Sequence, residues 1–152
     1  MRRILAISAS SRSWGNCEIS AKRALLSAME RGVQADFVRL TDIRIEPCRG
    51  CFKCLSGTGA CALEDELENL LGRTEAADAL VLAAPVYFGL PPAALVALLD
   101  RLLVMAEREE RRGSRRPAVT VTVMGNRKWR GVAEPLVNLT ASLLGFDIVR
   151  SL

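Results

Sequence analysis

The sequence predicts an α/β fold: three layers, with a parallel five-stranded sheet doubly wound by helices. Three observations predict it. Short continuous apolar runs recur along all 152 residues. Segments with helical spacing of apolar residues lie between them. The two kinds alternate, which calls for crossover connections and a parallel sheet. We find no internal repeat, low-complexity tract or linker, so residues 1–152 read as one domain.

Ile4-Leu5-Ala6-Ile7 is the first strand, an unbroken apolar run as expected where both faces are covered. With Met1, Arg2 and Arg3 before it, this start superficially resembles a signal peptide, but the run stops at Ser8, too short for that role. Asn16 to about Arg31 follows as a helix, with Ile19, Ala24, Leu25, Ala28 and Met29 near helical spacing and Gly32 as the stop. Val33 to Leu40 reads as a second strand. After a cysteine-rich loop, an acidic helix runs from Glu64 to about Ala77, with Leu67, Leu70 and Leu71 on one face. Residues 79–84 form a third buried strand closed by Pro85. Pro92 to about Glu110 is a long helix, its proline near the first turn where a missing N–H costs little. Residues 118–123 are a fourth strand, Ala133 to Leu144 a fourth helix, and Asp147-Ile148-Val149 a fifth strand after Gly145.

Composition bounds the function. Hydrophobic residues make up 50% and charged residues 25%, ordinary for a globular core and unlike disorder. Five cysteines, an odd number with four clustered, do not make a secreted disulfide framework. A cytoplasmic location is expected, and no stretch approaches the length of a membrane helix. The net charge of +4 is modest. Residues 107–116 are charge-rich but mixed in sign, which predicts the solvated end of the third helix and not a nucleic-acid stripe. Residues 127–130 are either a wet loop or an attraction for an anionic donor such as a pyridine nucleotide. With no histidine in the chain, acid–base chemistry by an imidazole of its own is excluded.

The cysteines carry the most chemistry. Cys48, Cys51 and Cys54 follow a C-x2-C-x2-C spacing, and Gly57 and Gly59 let the chain swing Cys61 back toward them. Four thiols so close suit a metal centre better than disulfides. The opening triplet is that of loops holding iron–sulfur clusters. Structural zinc is the rival, although zinc usually takes two C-x2-C pairs from separate loops.

In a doubly wound fold, ligands sit at the carboxyl ends of the strands. The loop after the first strand carries Ser8, Ser10, Arg12, Gly15, Asn16 and Cys17 and runs into a helix, so hydroxyls, a guanidinium and backbone N–H groups suit a phosphate. The plain alternative is a serine-rich helix cap. Neither a dinucleotide fingerprint nor a nucleotide P-loop is present. After the third strand, Pro85, Val86, Tyr87, Phe88 and Gly89 form a stiff apolar ledge for a flat ring. Gly125 and Asn126, with residue 127, supply a further wall. One phosphate loop and two ring-holding loops fit FMN.

Ser8-x-Ser10-x-Arg12-x-x-Gly15-Asn16, the cysteines from Cys48 to Cys61, residues 85–89 and Asp100-Arg101 together resemble the iron–sulfur flavoprotein branch of the NADPH-dependent FMN reductase family. The resemblance runs from the first strand to the end of the third helix, with a weaker echo at Gly125. It implies a flavodoxin-like fold, FMN and a [4Fe-4S] cluster, and a homo-oligomer, dimer or tetramer. Ser10, Arg12, Asn16 and Cys17 would then bind phosphate, residues 85–89 would line the isoalloxazine, and Cys48, Cys51, Cys54 and Cys61 would be cluster ligands. Two departures stand out. Cys17 takes a position usually held by Thr or Ser, and we read it as a simple substitution with its backbone N–H retained. The flavodoxin-like last helix is absent after the fifth strand, so a partner subunit covers that sheet face or it stays partly exposed.

Three functions compete on this reading. The first is an oxidoreductase relaying electrons between cluster and FMN, toward a small acceptor or a one-electron carrier protein. The second is an NAD(P)H-dependent FMN or quinone reductase with structural zinc. The third is a non-enzymatic metal- or redox-sensing module. No catalytic residue is assigned, and neither nucleic acid nor membrane is expected as a partner. A broad leucine stripe at Leu95, Leu98, Leu99, Leu102 and Leu103 favours association.

Overall fold

The computed structural model describes residues 1–56, 60–105, 116–126, 128 and 131–152. Five strands, β1 (Arg3–Ser8), β2 (Gln34–Arg39), β3 (Ala79–Pro85), β4 (Arg116–Val123) and β5 (Phe146–Ser151), form one sheet. Their order is β2-β1-β3-β4-β5 and every pairing is parallel, with a register irregularity between Ala118 and Val119 on β4. The α-helices among the described residues are α1 (Asn16–Met29), α2 (Leu67–Glu75), α3 (Ala93–Arg101) and α4 (Ala133–Leu143). No helix among the described residues is long and apolar enough to cross a membrane.

Alternate side chains of the central strands feed two cores. Leu5, Ile7, Leu80 and Leu82 pack with Leu67, Leu70, Leu71, Leu95, Leu98 and Val137 from α2, α3 and α4. Ala6, Val81 and Ala83 face Cys17, Ala21 and Leu25 of α1. Small residues on the α1 side let that helix lie close to the sheet. Each fully buried leucine contributes about 1.5–3 kcal/mol. Truncating Leu82 to Ala would cost about 2–5 kcal/mol, because the packed core refills the void only in part. On the α1 face, Val121 and Val123 are only partly buried and Val149 is exposed, so this side of β4 and β5 is thinly covered among the described residues.

Several boundaries differ from expectation for physical reasons. The second helix begins at Leu67, not Glu64, since Asp65 and Glu66 are engaged elsewhere: Asp65 accepts from Glu46 N–H and Glu66 from Arg44 N–H. The third helix is regular only to Arg101, then tightens into a 3-10 turn over Leu102–Met105; its expected continuation lies outside the described residues. Arg116 does not belong to a solvated helix end. It opens β4, stacks 4.2 Å from the Phe146 ring centroid, and donates to the carbonyls of Thr74, Glu75 and Ala77 at the C-terminus of α2. There it satisfies orphan carbonyls and complements the helix dipole. The leucine stripe is largely internal. Leu95, Leu98 and Leu102 are buried, Leu99 packs against the same core, and Leu103 alone is exposed.

Candidate functional site

Strand order reverses direction between β1 and β3, and the loops leaving these strands diverge there. This opens a crevice, the usual ligand position in a sheet of this order. A cavity of about 250 Å3 lies in it, lined by Ser10, Arg12, Gly15, Asn16, Cys17, Pro85, Val86, Tyr87, Val123, Met124 and Gly125. A second, about 310 Å3, adjoins it along Val86, Tyr87, Phe88, Gly125 and Asn126. The crevice thus gathers all three loops singled out in the sequence. Val123 and Met124 were missed; their signal was their place at the carboxyl end of β4.

The first loop is built for its turn into α1. Ala9 N–H donates to Ala83 O at 2.8 Å, tying the loop to β3. Ser8 is fully buried and lines neither cavity; its Oγ accepts from Ser10 N–H at 3.4 Å, so it supports the turn. Ser10 Oγ in turn accepts from Arg12 N–H at 3.1 Å. No side chain caps Gly15, the N-cap of α1, which leaves first-turn N–H groups facing the crevice. The carboxylate of Glu18 in that turn would oppose an anion, but it is already engaged. Lys22 and Arg39 pair with it and Trp14 N–H donates to it; the Lys22 contact above all draws its carboxyl down to about 2. Cys17 is buried, and burial pushes its thiol up to about 11. It lines the crevice as a neutral thiol, apart from the other four cysteines.

The second loop makes a tight turn. Tyr87 and Leu90 exchange both backbone hydrogen bonds, at 2.8 and 3.0 Å. The two residues between them, Phe88 and Gly89, have φ of 50° and 86°, the pattern of a type I′ turn. Glycine adopts this freely, whereas phenylalanine there carries strain of about 1–3 kcal/mol. The turn holds the Phe88 ring 81% exposed at the rim, beside a half-exposed Tyr87. Gly89 lines neither cavity, and its role is to shape this turn.

A third cavity, about 550 Å3, lies at the far end of α3. Cys48, Cys51, Cys54 and Cys61 all line it, with Phe52, Lys53, Leu63, Asp100 and Arg101 among the other walls. Gly50 and Phe52 take positive φ, 62° and 55°, which curls the chain so that successive thiols face one space. Gly50 N–H donates to Cys48 Sγ at 3.4 Å. Burial raises the Cys54 thiol, and the neighbouring Cys61, Cys48 and Cys51 raise it further. Gly57 and Gly59 lie outside the described residues. Among those described, no group of three or more Cys, Asp or Glu is drawn around a single ion. The donor set is nonetheless all thiol, with a backbone N–H and a buried guanidinium beside it, which suits a sulfur-rich, negatively charged group. Residues 127, 129 and 130 are likewise outside the described chain.

A five-stranded parallel sheet in this order, with its crevice at the β1/β3 reversal, defines a flavodoxin-like α/β protein. The chain belongs to the NADPH-dependent FMN reductase family, which residues 2–151 match. It is 37% identical over 103 residues to an iron-sulfur flavoprotein of Methanosarcina thermophila, covering 68% of this chain and 53% of that one. It is 35% identical over 99 residues to an iron-sulfur flavoprotein of Methanocaldococcus jannaschii, covering 65% and 51%. The chain therefore spans about half the length of these relatives. Among solved structures, a flavone reductase superposes with a TM-score of 0.72 at 18% identity, covering 99% of this chain and 53% of the other. An apo NADH:FMN oxidoreductase gives 0.65 at 21% identity, covering 99% and 74%. These likenesses establish the fold.

Proposed function

We propose that this chain is a redox flavoprotein: an FMN-dependent oxidoreductase that relays electrons between a [4Fe-4S] cluster held by Cys48, Cys51, Cys54 and Cys61 and FMN held in the crevice. The observation carrying the reading is that all four clustered cysteines line one cavity at one end of α3, while the phosphate-type and ring-type loops meet at the other. FMN takes electrons in ones or twos and a cluster passes them singly, so the pair converts between the two modes.

The chain's own residues supply binding and orientation. Arg12, Ser10, Asn16 and the N–H of Cys17 are assigned to the phosphate, with the α1 dipole adding to the attraction. Pro85, Val86, Tyr87, Phe88, Gly125 and Asn126 exclude water from the ring, and Ser8, Gly15 and Gly89 set the loop shapes. Glu18, neutralised by Lys22 and Arg39, lets an anion approach the helix. Four free thiols suit the reducing cytoplasm. The electron donor is NAD(P)H or a one-electron carrier protein, and the final acceptor is a small molecule or that carrier.

The active form is a homo-oligomer, dimer or tetramer. The two sites lie toward opposite ends of α3, whose nine residues span about 13 Å at helical rise. Phe88, Leu90 and Val132 are exposed together at the crevice rim, and Val132 N–H is bonded to Gly89 O. Association over this rim would hide them and bring one chain's cysteines toward another's flavin.

Rapid mixing under anaerobic conditions tests the relay. Wild type and Cys51→Ser, both loaded with FMN, are mixed with a reduced one-electron carrier and, separately, with NADPH. The relay predicts that the carrier bleaches the flavin only in the wild type. Equal rates in both proteins would remove the cluster from the electron path.

A further inference from the structure

A buried ion pair, Arg101 with Asp65, adjoins the cysteine cavity. Arg101 donates to Asp65 Oδ2 at 2.8 Å, to Asp65 Oδ1 at 3.2 Å and to Glu46 O at 2.7 Å. Both side chains of the pair are 1% exposed. The guanidinium also lies against the Cys61 thiol, and its Nε has no hydrogen-bond partner among the described residues. Burying an ion pair is expensive, and apolar replacements are often at least as stable. A buried pair at this place therefore invites a role besides stability.

Its orientation supplies one. Arg101 is part of the cavity wall, whereas Asp65 stands behind it and does not line the cavity. Asp65 is held there by the N–H groups of Glu46 and Leu67 at 2.8 and 3.2 Å. The pair thus presents its positive end to the thiols. Arg49 and Lys53 also line the cavity, but both are exposed, so water and salt screen them. Among the described residues, Arg101 is the cation on this wall that solvent barely reaches.

We propose that Arg101 is the charge-compensating residue of the cluster site, held from behind by Asp65 so that it stabilises the reduced cluster and raises its reduction potential. Reduction adds one electron from the donor and one unit of negative charge to the group. A fixed cation at low dielectric offsets that charge without reorganising. The same side chain joins Glu46, before the first cysteine, to Asp65, after the last, so it also closes the neck of the loop. The proposal rests on the cluster reading given above.

The test is an anaerobic redox titration of the reconstituted full chain, followed by the paramagnetic signal of the reduced cluster. Iron and labile sulfide are assayed first. Arg101→Gln should disfavour reduction at least tenfold, a fall of about 59 mV for one electron. Arg101→Lys, which keeps the charge, should recover part of that. Asp65→Asn removes the counter-charge and should move the potential the opposite way, upward. A purely structural role predicts no such opposition of sign. Unchanged potentials, or shifts of both variants in one direction, overturn the role of Arg101 while leaving the cluster reading intact. Should Arg101→Gln fail to hold a cluster, Asp65→Asn decides alone, and a potential that stays or falls overturns the proposal. Wild-type protein without iron and sulfide overturns both readings.

Discussion

Gly131 approaches Gly89 so closely that a Cβ built on it would stand 2.4 Å from Gly89 O and 2.6 Å from Gly89 Cα. The next residue, Val132, donates its N–H to that same carbonyl at 3.0 Å. The segment entering α4 thus clamps the turn that presents Tyr87 and Phe88. Both contact atoms are backbone, so neither can swing aside. Gly131→Ala should displace the turn, weaken FMN about tenfold or more, and lower stability by about 1–3 kcal/mol. Flavin fluorescence titration and urea unfolding measure the two effects. Unaltered FMN affinity would detach this turn from the flavin.

Arg12 offers a test of the phosphate assignment. A charge-assisted hydrogen bond to phosphate is worth about 1.5–3 kcal/mol, roughly ten- to hundred-fold in affinity. Arg12→Ala should weaken FMN by that factor and leave riboflavin, which lacks the phosphate, nearly unaffected. Equal losses for the two ligands would mean that Arg12 serves the fold.

Glu18 sets a pH dependence. Its carboxyl falls from an ordinary 4.5 to about 2 in the folded protein, chiefly through Lys22, then Arg39 and the Trp14 N–H against the opposing cost of burial. A group with a depressed folded value binds protons more readily when unfolded. Its contribution is therefore complete above about 4.5 and is lost as pH falls toward 2. Urea midpoints measured across that interval should drop with acidification, and Glu18→Gln should flatten part of the drop while lowering the plateau. A Glu18→Gln curve parallel to wild type would contradict this.

Much of the architecture was legible because burial on both faces leaves a plain mark. The runs at Ile4–Ile7 and 79–84 are apolar without break, and each became a central strand. The loops of the crevice were legible for the same reason, since strand ends locate them. What stayed hidden were partnerships between residues distant in sequence. Asp65 looked like part of a helix because nothing local shows that it binds Glu46 N–H and Arg101, 36 residues on. Arg116 sat in a run of charges and gave no hint that three carbonyls of the α2 terminus awaited it. Gly131 was passed over because its requirement is a steric one, set by Gly89. The leucines of α3 misled in the other direction: their breadth suggested an outer surface, yet the helix is wedged where both its neighbours and the sheet absorb them.

Cofactor content decides whether one chain carries both a flavin and a cluster. Protein made and purified without oxygen should contain FMN and about one [4Fe-4S] cluster per chain, with a broad brown absorbance beneath the flavin bands. Cys51→Ser should lose the brown component and the labile sulfide while retaining FMN. Stoichiometric zinc with no labile sulfide in such a preparation would contradict the account.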